Sequence, residues 1–351
     1  MDKQETSEQD QSDSRSYRTR MLFTRALVIL VIMGYILLGF GQFPVTIINT
    51  WIAPFTFQMM LVAAGACVLL LLMRSPGWAL MSLVLATINA FIASGDYRGR
   101  DVQVTGTSQE LRVMLANVLY RNENPQYLNT MIVKEKPDVV IVQECTKQFS
   151  DSLESLASTY PHQHAWPSDS PGGLAIISRH PMRNVTVGKL EKMSFPYATA
   201  VIDGPNADVL MFAVHLMSPR SIATAMLRNR ELESIADLVA TKRLGELPVI
   251  LAGDMNTTMY SPRFRNFTRT SGLVSGRRGY GNLPTWPVRF PKWFEFRLPS
   301  LTMIPIDHLC VDPVIMVNDF RLGPDIGSDH LPLVVDMRIP GAGGHQATSS
   351  D

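Results

Sequence analysis

Between Ala26 and Met73 the chain carries no Asp, Glu, Lys or Arg, and from Ser75 to Ser94 it again carries none, so Arg74 alone interrupts about seventy uncharged residues. A charge at the centre of a membrane helix costs about 2.5–3.5 kcal/mol, and its absence over this length is the signature of membrane spans. The run divides into three apolar blocks at 24–42, 53–73 and 77–95, each near the ~20 residues that cross ~30 Å of hydrocarbon. A cleaved signal peptide accounts for one such block, not for three in succession.

Before the first block lies a polar stretch, residues 1–22, with no hydrophobic pattern, which reads as a disordered cytoplasmic tail. Arg15, Arg18, Arg20 and Arg25 precede the first span, and Arg74 sits in the second turn. By the positive-inside rule both face the cytoplasm, and three crossings leave everything after Ser94 outside. Arg98 and Arg100 pull against this orientation; two spans or a reversed bundle would put the rest in the cytoplasm. The expectation is a multi-pass protein of the plasma (inner) membrane whose C-terminal domain is extracytoplasmic.

After a linker at 96–109, residues 110–340 suffice for one large domain with a substantial core, and 341–351 read as a second disordered tail. Residues 101–351 hold 24 Lys and Arg against 25 Asp and Glu. That near-neutrality weighs against a nonspecific nucleic-acid binder, which needs a broad basic surface. Cys145 and Cys310 stand in strand-like contexts and read as buried free thiols.

Short apolar runs recur through the domain as "LRVMLANVL", "DVVIVQE", "GGLAIIS", "DVLMFAVHL", "LPVILAGDMN", "DHLCVD" and "HLPLVVDM", which predict strands. Helical patterns lie between them, above all in "SIATAMLRNRELESIADLVATKR", where Ile222, Met226, Leu232, Ile235, Leu238 and Val239 repeat with helical spacing. The alternation predicts an α/β domain with strands inside and helices outside.

Polar residues gather at the ends of these runs: Asn117, Glu144, His215, Asp254 with Asn256, Asp307 with His308, and Asp329 with His330. Taken singly each has a plain reading as a core amide, a solvated charge or a satisfied histidine. Together they fit a site, because rigid strand ends can aim side chains from distant positions at one point. Carboxylate and amide oxygens suit Mg²⁺ or Mn²⁺, and too few thiols and histidines are grouped for structural zinc. An imidazole near its ordinary value of about 6.5 accepts a proton at neutral pH, and a carboxylate behind it stabilises the imidazolium.

The ordered set "LANV", "VQE", "GGLAIISRHPM", "AVHL", "PVILAGDMNT", "PTW", "IDHL" and "GSDHLPL" resembles the endonuclease/exonuclease/phosphatase (DNase I-like) superfamily across 110–337, and with the apolar blocks it is similar to membrane-anchored bacterial members. The pattern departs at Met255, where an aromatic is common, and over 270–291, which matches no substrate-specific subfamily. The resemblance implies a DNase I-like sandwich of two β-sheets flanked by helices, preceded here by the transmembrane helical bundle. It implies that Glu144 ligates the metal with Asn117 beside it, that Asp254 and Asn256 position water and phosphate oxygens, and that His215 donates to the phosphoryl group. Asp329 joins the metal or water network, and His330 takes the proton, held in the right tautomer by Asp307. Thr285, Trp286 and Arg263 are candidates for substrate contact, whereas His180 reads as structural and His308, pointing the opposite way from Asp307, is assigned no role.

The expected activity is membrane-anchored, Mg²⁺- or Mn²⁺-dependent hydrolysis of a phosphodiester or phosphomonoester. A lipid head group is favoured as substrate because the tether is short and "PVRFPKWFEFRLP" mixes aromatics with cations. The alternatives are a metal-dependent nuclease and a catalytically silent binding module, the latter having no need of the whole polar set. No obligate protein partner is implied.

Overall fold

The structure, a computed structural model, describes residues 15, 17–30, 33–34, 49–190, 194–245, 247–289 and 297–341. The chain divides into two compact units, Met1–Ser94 and Gly95–Asp351.

In the first unit, residues 17–30 are helical. The predicted tail therefore gives way to helix before residue 22, because 17–30 contains no Pro or Gly to stop a helix propagating towards the N-terminus. Of the block at 24–42, residues 31–32 and 35–42 lie outside the described residues. Among the described residues two helices are long and apolar enough to cross a membrane, α1 (Asn49–Leu72) and α2 (Pro76–Ala93). They pack through small residues, Ala66 and Cys67 with Ala79, and Ala63 with Ala86, which permits close backbone approach. Val62, Leu71, Leu72, Leu80 and Phe91 stay exposed.

The second unit is a two-sheet sandwich. Strands β1 (Ser108–Asn117), β2 (Val139–Gln143), β3 (His162–Trp166) and β4 (Leu174–Ser178) join β11 (Met316–Leu322) and β12 (Leu333–Pro340) in the order β11-β12-β1-β2-β4-β3. The other sheet runs β5-β6-β7-β8-β10-β9, from β5 (Met182–Gly188), β6 (Tyr197–Asp203), β7 (Asp208–His215), β8 (Val249–Asp254), β9 (Val274–Ser275) and β10 (Asp307–Val311). At the heart of each sheet is one parallel pair, β1 with β2 and β7 with β8. Parallel neighbours need a crossover, supplied by α3 (Pro125–Glu135) and α5 (Ile222–Lys242). The remaining helices are α4 (Lys147–Glu154) and α6 (Pro262–Ser271).

Alternation along the strands sorts the core. Leu111, Val113, Leu115, Val139, Ile141, Met211, Ala213, Ile250, Ala252, Leu309 and Val311 point inward between the sheets. Met114, Ala116, Val140 and Val142 point outward beneath Leu128, Ile132, Phe149 and Leu153 of α3 and α4. Each sheet is thus apolar on both faces, which is why β2, β4, β8 and β10 are buried at every position. Cys67, Cys145 and Cys310 are buried free thiols.

Candidate active site

The same alternation builds the site. Asn117, Gln143, His215, Asp254 and Asp307 all carry the inward parity of their strands, so each aims into the gap between the sheets. Register brings them level: Asn117 lies opposite Gln143, His215 opposite Asp254, and Asp254 opposite Asp307. Glu144 has outward parity but a left-handed backbone (φ 56°) that turns it back towards the site. Asp329 and His330 belong to the loop before β12 and not to the strand, which begins only at Leu333, because Pro332 has no N–H to pair.

The side chains form one connected network. Asn117 Nδ2 donates to Glu144 Oε1 and to Asp254 Oδ2, each at 3.3 Å, while the Tyr120 amide holds Glu144 Oε2 at 3.0 Å. Asp254 Oδ1 accepts from the Asn256 amide at 2.8 Å, and Asn256 Nδ2 donates to Leu216 O. His330 Nδ1 bonds Asp307 Oδ2 at 2.8 Å, leaving Nε2 3.8 Å from Asp254 Oδ2 and 4.0 Å from Asp329 Oδ1. Trp286 Nε1 donates to Asp329 Oδ2 at 3.0 Å. His215 Nδ1 bonds Pro171 O at 2.9 Å and its ring stacks on Phe195, with centroids 5.0 Å apart.

Burial and charge set opposite behaviours in neighbouring groups. Burial raises the Asp254 carboxyl well above the carboxylate range, and Asp307 and Glu144 reinforce the rise. Burial also acts to raise Asp307, but the His330 charge and hydrogen bond outweigh it and hold Asp307 low. Burial lowers His215. On His330 burial acts downward and is overcome by Asp307, Asp254 and Asp329, which push it up to about 10. Among these charges His330 is held above the ordinary imidazole value of about 6.5.

This excess of carboxylate fits a hard cation. Asp307 Oδ1 and Asp329 Oδ1 are buried without a hydrogen-bond partner, an arrangement that costs free energy unless a charge answers it. Ligand atoms of Asp254, Asp307 and His330 lie within 4.8 Å of one another. Asn117, expected beside the metal, turns its amide nitrogen to the carboxylates, and its Oδ1 accepts from the Leu119 amide. It joins two acids as a donor and offers them no oxygen. His215 departs as well: with Nδ1–H on Pro171 O the neutral ring has only a lone pair at Nε2, so donation to phosphate requires the imidazolium.

A cleft of about 230 Å³ opens above the network, lined by Tyr120, Glu144, Phe195, His215, Asp254, Asn256, Trp286, Asp329 and His330, with Met217 and Arg220 at its border. Two residues expected to touch substrate lie elsewhere. Thr285 is fully buried, and its hydroxyl accepts from the Ile306 and Asp307 amides, so it braces Asp307 from behind. Arg263 is on α6, bonded to Glu233 at 3.0 Å, and does not line the cleft. His308 has outward parity, bonds Thr257 O at 2.8 Å and packs on Phe264 at 4.4 Å.

Sequence reasoning missed Gln143, which donates to Val214 O and accepts from the Asp254 amide at 3.1 Å, tying the two sheets together beneath the site. Period-two counting from Val139 and Ile141 would have found it. It also missed Ser328, whose hydroxyl donates to Asn117 O at 2.7 Å and accepts from the His330 amide at 3.1 Å. Phe195 and Arg220 had no signal in the one-dimensional pattern.

The sequence matches the family model described as Endonuclease/Exonuclease/phosphatase family over residues 114–330, more than half of the chain. The protein belongs to that family, whose members hydrolyse phosphoester bonds and are generally divalent-metal dependent. No curated protein matches it in sequence. Among solved structures, an endonuclease/exonuclease/phosphatase from Beutenbergia cavernae is similar at 24% identity and a TM-score of 0.55, covering 67% of this chain and 72% of its own. A Bacteroides thetaiotaomicron family protein shares 17% identity at a TM-score of 0.53, covering 67% and 99%. Zebrafish TDP2, solved with a single-strand DNA product, shares 17% at 0.55, covering 65% and 99%. These likenesses establish the two-sheet fold.

Proposed function

We propose that the protein is a membrane-anchored phosphoesterase that depends on a divalent cation and uses His330 as its general base. One observation carries the reading: buried Asp307 holds His330 through Nδ1, and Nε2 faces the cleft that Glu144, Asp254 and Asp329 also line. Glu144, Asp254 and Asp329 would hold Mg²⁺ or Mn²⁺, for which carboxylate oxygens are suited ligands. The bound ion would oppose the negative charge that spreads over the nonbridging phosphate oxygens in the transition state.

The chain's own residues account for the proton movements. His330 Nε2 takes a proton from the attacking water, the new P–O bond forms as the ester oxygen leaves, and Asp307 stabilises the imidazolium. His330, raised by Asp307, Asp254 and Asp329, would release its proton more readily once the charge of Asp254 and Asp329 is offset. Arriving phosphate charge favours the imidazolium of His215, whose Nε2–H then donates to the phosphoryl group. Asn117 and Asn256 keep the carboxylates oriented throughout.

Several observations support a location in the plasma (inner) membrane. The exposed apolar faces of α1 and α2 need a nonaqueous partner, and Arg15, Arg18, Arg20 and Arg25 favour an extracytoplasmic domain. A lipid head group or another phosphoester is preferred over duplex DNA because the domain has no net basic charge and Tyr120, Phe195 and Trp286 give the cleft apolar walls. Of the aromatic-cationic segment raised as a second support, residues 290–296 lie outside the described residues. The zebrafish neighbour, which holds a DNA product, keeps a single-stranded substrate in view.

A panel of phosphodiesters, phosphomonoesters, phospholipid vesicles and plasmid, assayed on the full chain with Mg²⁺ and with EDTA, tests the reading. EDTA-sensitive hydrolysis of lipid or small phosphoesters is expected. Efficient plasmid nicking with neither of these would make the protein a nuclease, and no hydrolysis of any substrate would refute the enzyme. Alkaline phosphatase fused after Asp101 should be active and green fluorescent protein dark; the reverse pair refutes the orientation.

A further inference from the structure

A second groove, of about 270 Å³, shares no residue with the catalytic cleft. Its walls come from three segments: Gly99, Arg100 and Val102; Ser275 to Gly276 with Arg278 to Tyr280; and Met316 with Val317. β9 and β11 are the outermost strands on the same side of the two sheets, and Ser275 pairs with Cys310 near the end of β10 remote from Asp307. The groove thus follows an open edge of the sandwich, with the segment that leads into the domain lying along it.

Its construction is tight where the backbone permits no side chain. A Cβ at Gly279 (φ 97°) would stand 2.9 Å from the Gly99 Cα, and one at Gly281 (φ 84°) 2.8 Å from a Tyr97 ring carbon. Glycines at both positions let residues 97–99 seat directly on the loop. Arg100 is fixed by donating to Pro313 O and, at 3.5 Å, to Ile315 O. Tyr280 is fixed by its hydroxyl on Val317 O at 3.0 Å.

The charges in this groove are only partly answered: Asp312 favours the charge of Arg100 without making an ion-pair contact with it. Arg100 and Arg278 both line the groove, and the charge of Arg278 acts against that of Arg100. Neither has a carboxylate in ion-pair contact among the described residues, and no acid lines the groove. Asp312 is ion-paired with Arg243 and Asp319 with Arg321. The Ser275 hydroxyl, on a groove-lining residue only 8% exposed, has no hydrogen-bond partner. A buried hydroxyl left unpaired is costly, and with the two arginines that line the same groove it supplies donors suited to an oxyanion with several acceptor oxygens.

We infer that the groove between β9 and β11 is a second binding site, for a phosphate group held by Arg100, Arg278 and the Ser275 hydroxyl. A phosphate is preferred to a carboxylate because its oxygens point in several directions and reach two arginines and a hydroxyl together. Two sources share this chemistry, an anionic phospholipid head group and free phosphate. Arg98 and Arg100 follow the last residue of α2, Ala93, by five and seven positions, and juxtamembrane arginines are drawn to anionic head groups. The site would then bind lipid without hydrolysing it.

The full chain in detergent micelles, with EDTA present, is titrated with inorganic phosphate and separately with soluble short-chain phosphatidylglycerol, reading the rise in melting temperature. Saturable stabilisation is expected for wild type, with affinity weakened about tenfold or more in Arg278→Ala and more mildly in Ser275→Ala. Arg278 is exposed, so the unliganded variant should melt with wild type, which excludes misfolding. Stronger binding of phosphatidylglycerol assigns the site to a head group, and stronger binding of inorganic phosphate to the free ion. No stabilisation of wild type, or equal affinity in Arg278→Ala, overturns the site.

Discussion

The dipeptide Asp-His occurs twice, as Asp307-His308 at the start of β10 and as Asp329-His330 before β12, and the backbone gives the two copies different work. The first copy opens β10, where alternation sends Asp307 between the sheets and His308 out against Phe264. The second copy lies in a loop, where no alternation applies, so His330 and Asp329 both reach the cleft. Burial is nearly equal for the two rings, at 1% and 5% exposed, yet their charges part. Burial, reinforced by the charge of Arg277, pushes His308 down to about 3, while on His330 three acidic neighbours overcome the same burial and push it up to about 10. Residue type and burial do not make a site; the sign of the surrounding charge does.

The largest expected effect separates the two histidines by substitution. His330→Ala should lower turnover of a model phosphodiester on the order of 10²–10⁴-fold, the usual contribution of a positioned base. His308→Ala should leave turnover per folded molecule within a few-fold but destabilise by about 2–4 kcal/mol, through lost packing on Phe264 and an unpaired Thr257 carbonyl. Activity assays paired with urea unfolding decide between them. If His308→Ala loses activity while its stability is unchanged, the division fails.

Asp307→Asn sharpens the same comparison from the carboxylate side. The amide keeps the shape but removes the charge behind His330, so turnover should fall roughly 10²-fold or more. The double variant with His330→Ala should be little worse than His330→Ala alone, because the two act as a unit. Multiplying losses would mean that Asp307 serves something other than His330.

Next come opposite pH slopes in stability, measured in EDTA. A folded-state value raised to about 10 means that the His330 contribution is full below its unfolded value of about 6.5 and is lost as pH rises through about 10. A value lowered to about 3 means that the His308 contribution is present above about 6.5 and is lost as pH falls through about 3. Unfolding free energies across pH 4–10 should lose their alkaline decline in His330→Gln and their acid decline in His308→Gln. The assignment breaks if either variant alters the other limb instead.

These two dipeptides also mark how far the sequence could be read. The seven apolar runs became β1, β2, β4, β7, β8, β10 and β12, because β2, β4, β8 and β10 are buried at every position and the other three over most of their length, which shows as near-continuous hydrophobicity. The runs that escaped notice, such as β5 and β11, are half exposed edge strands whose polar residues mask their extension. On α5 the helical period was legible but its face was partly wrong, since Ile222 and Met226 are exposed and Ala225 and Ala236 are buried. In the site, residues on strands could be placed by parity, whereas Glu144 depended on a single left-handed residue and Asp329 on a loop. Neither conformation is written in a hydrophobic pattern.

The smallest expected effect concerns Arg263, a cation that reads in sequence as a phosphate contact beside "GDMNTTMYSPRF". In the fold, Ser261 caps α6, so Arg263 begins a helix that leads away from Asp254, and its guanidinium meets Glu233 on α5. The pair is partly exposed, with side chains 28% and 52% accessible, and such pairs contribute between zero and about 1 kcal/mol. Arg263→Ala should therefore leave KM and kcat within about twofold and cost at most about 1 kcal/mol, with salt reducing even that. Arg220, which does border the cleft, supplies the contrast. Arg220→Ala should raise KM for a charged phosphoester several-fold at low salt, because a cation at the mouth draws substrate in without taking part in bond cleavage. A rise in KM in the Arg263 variant and none in the Arg220 variant would reverse the assignment and return the substrate contact to α6.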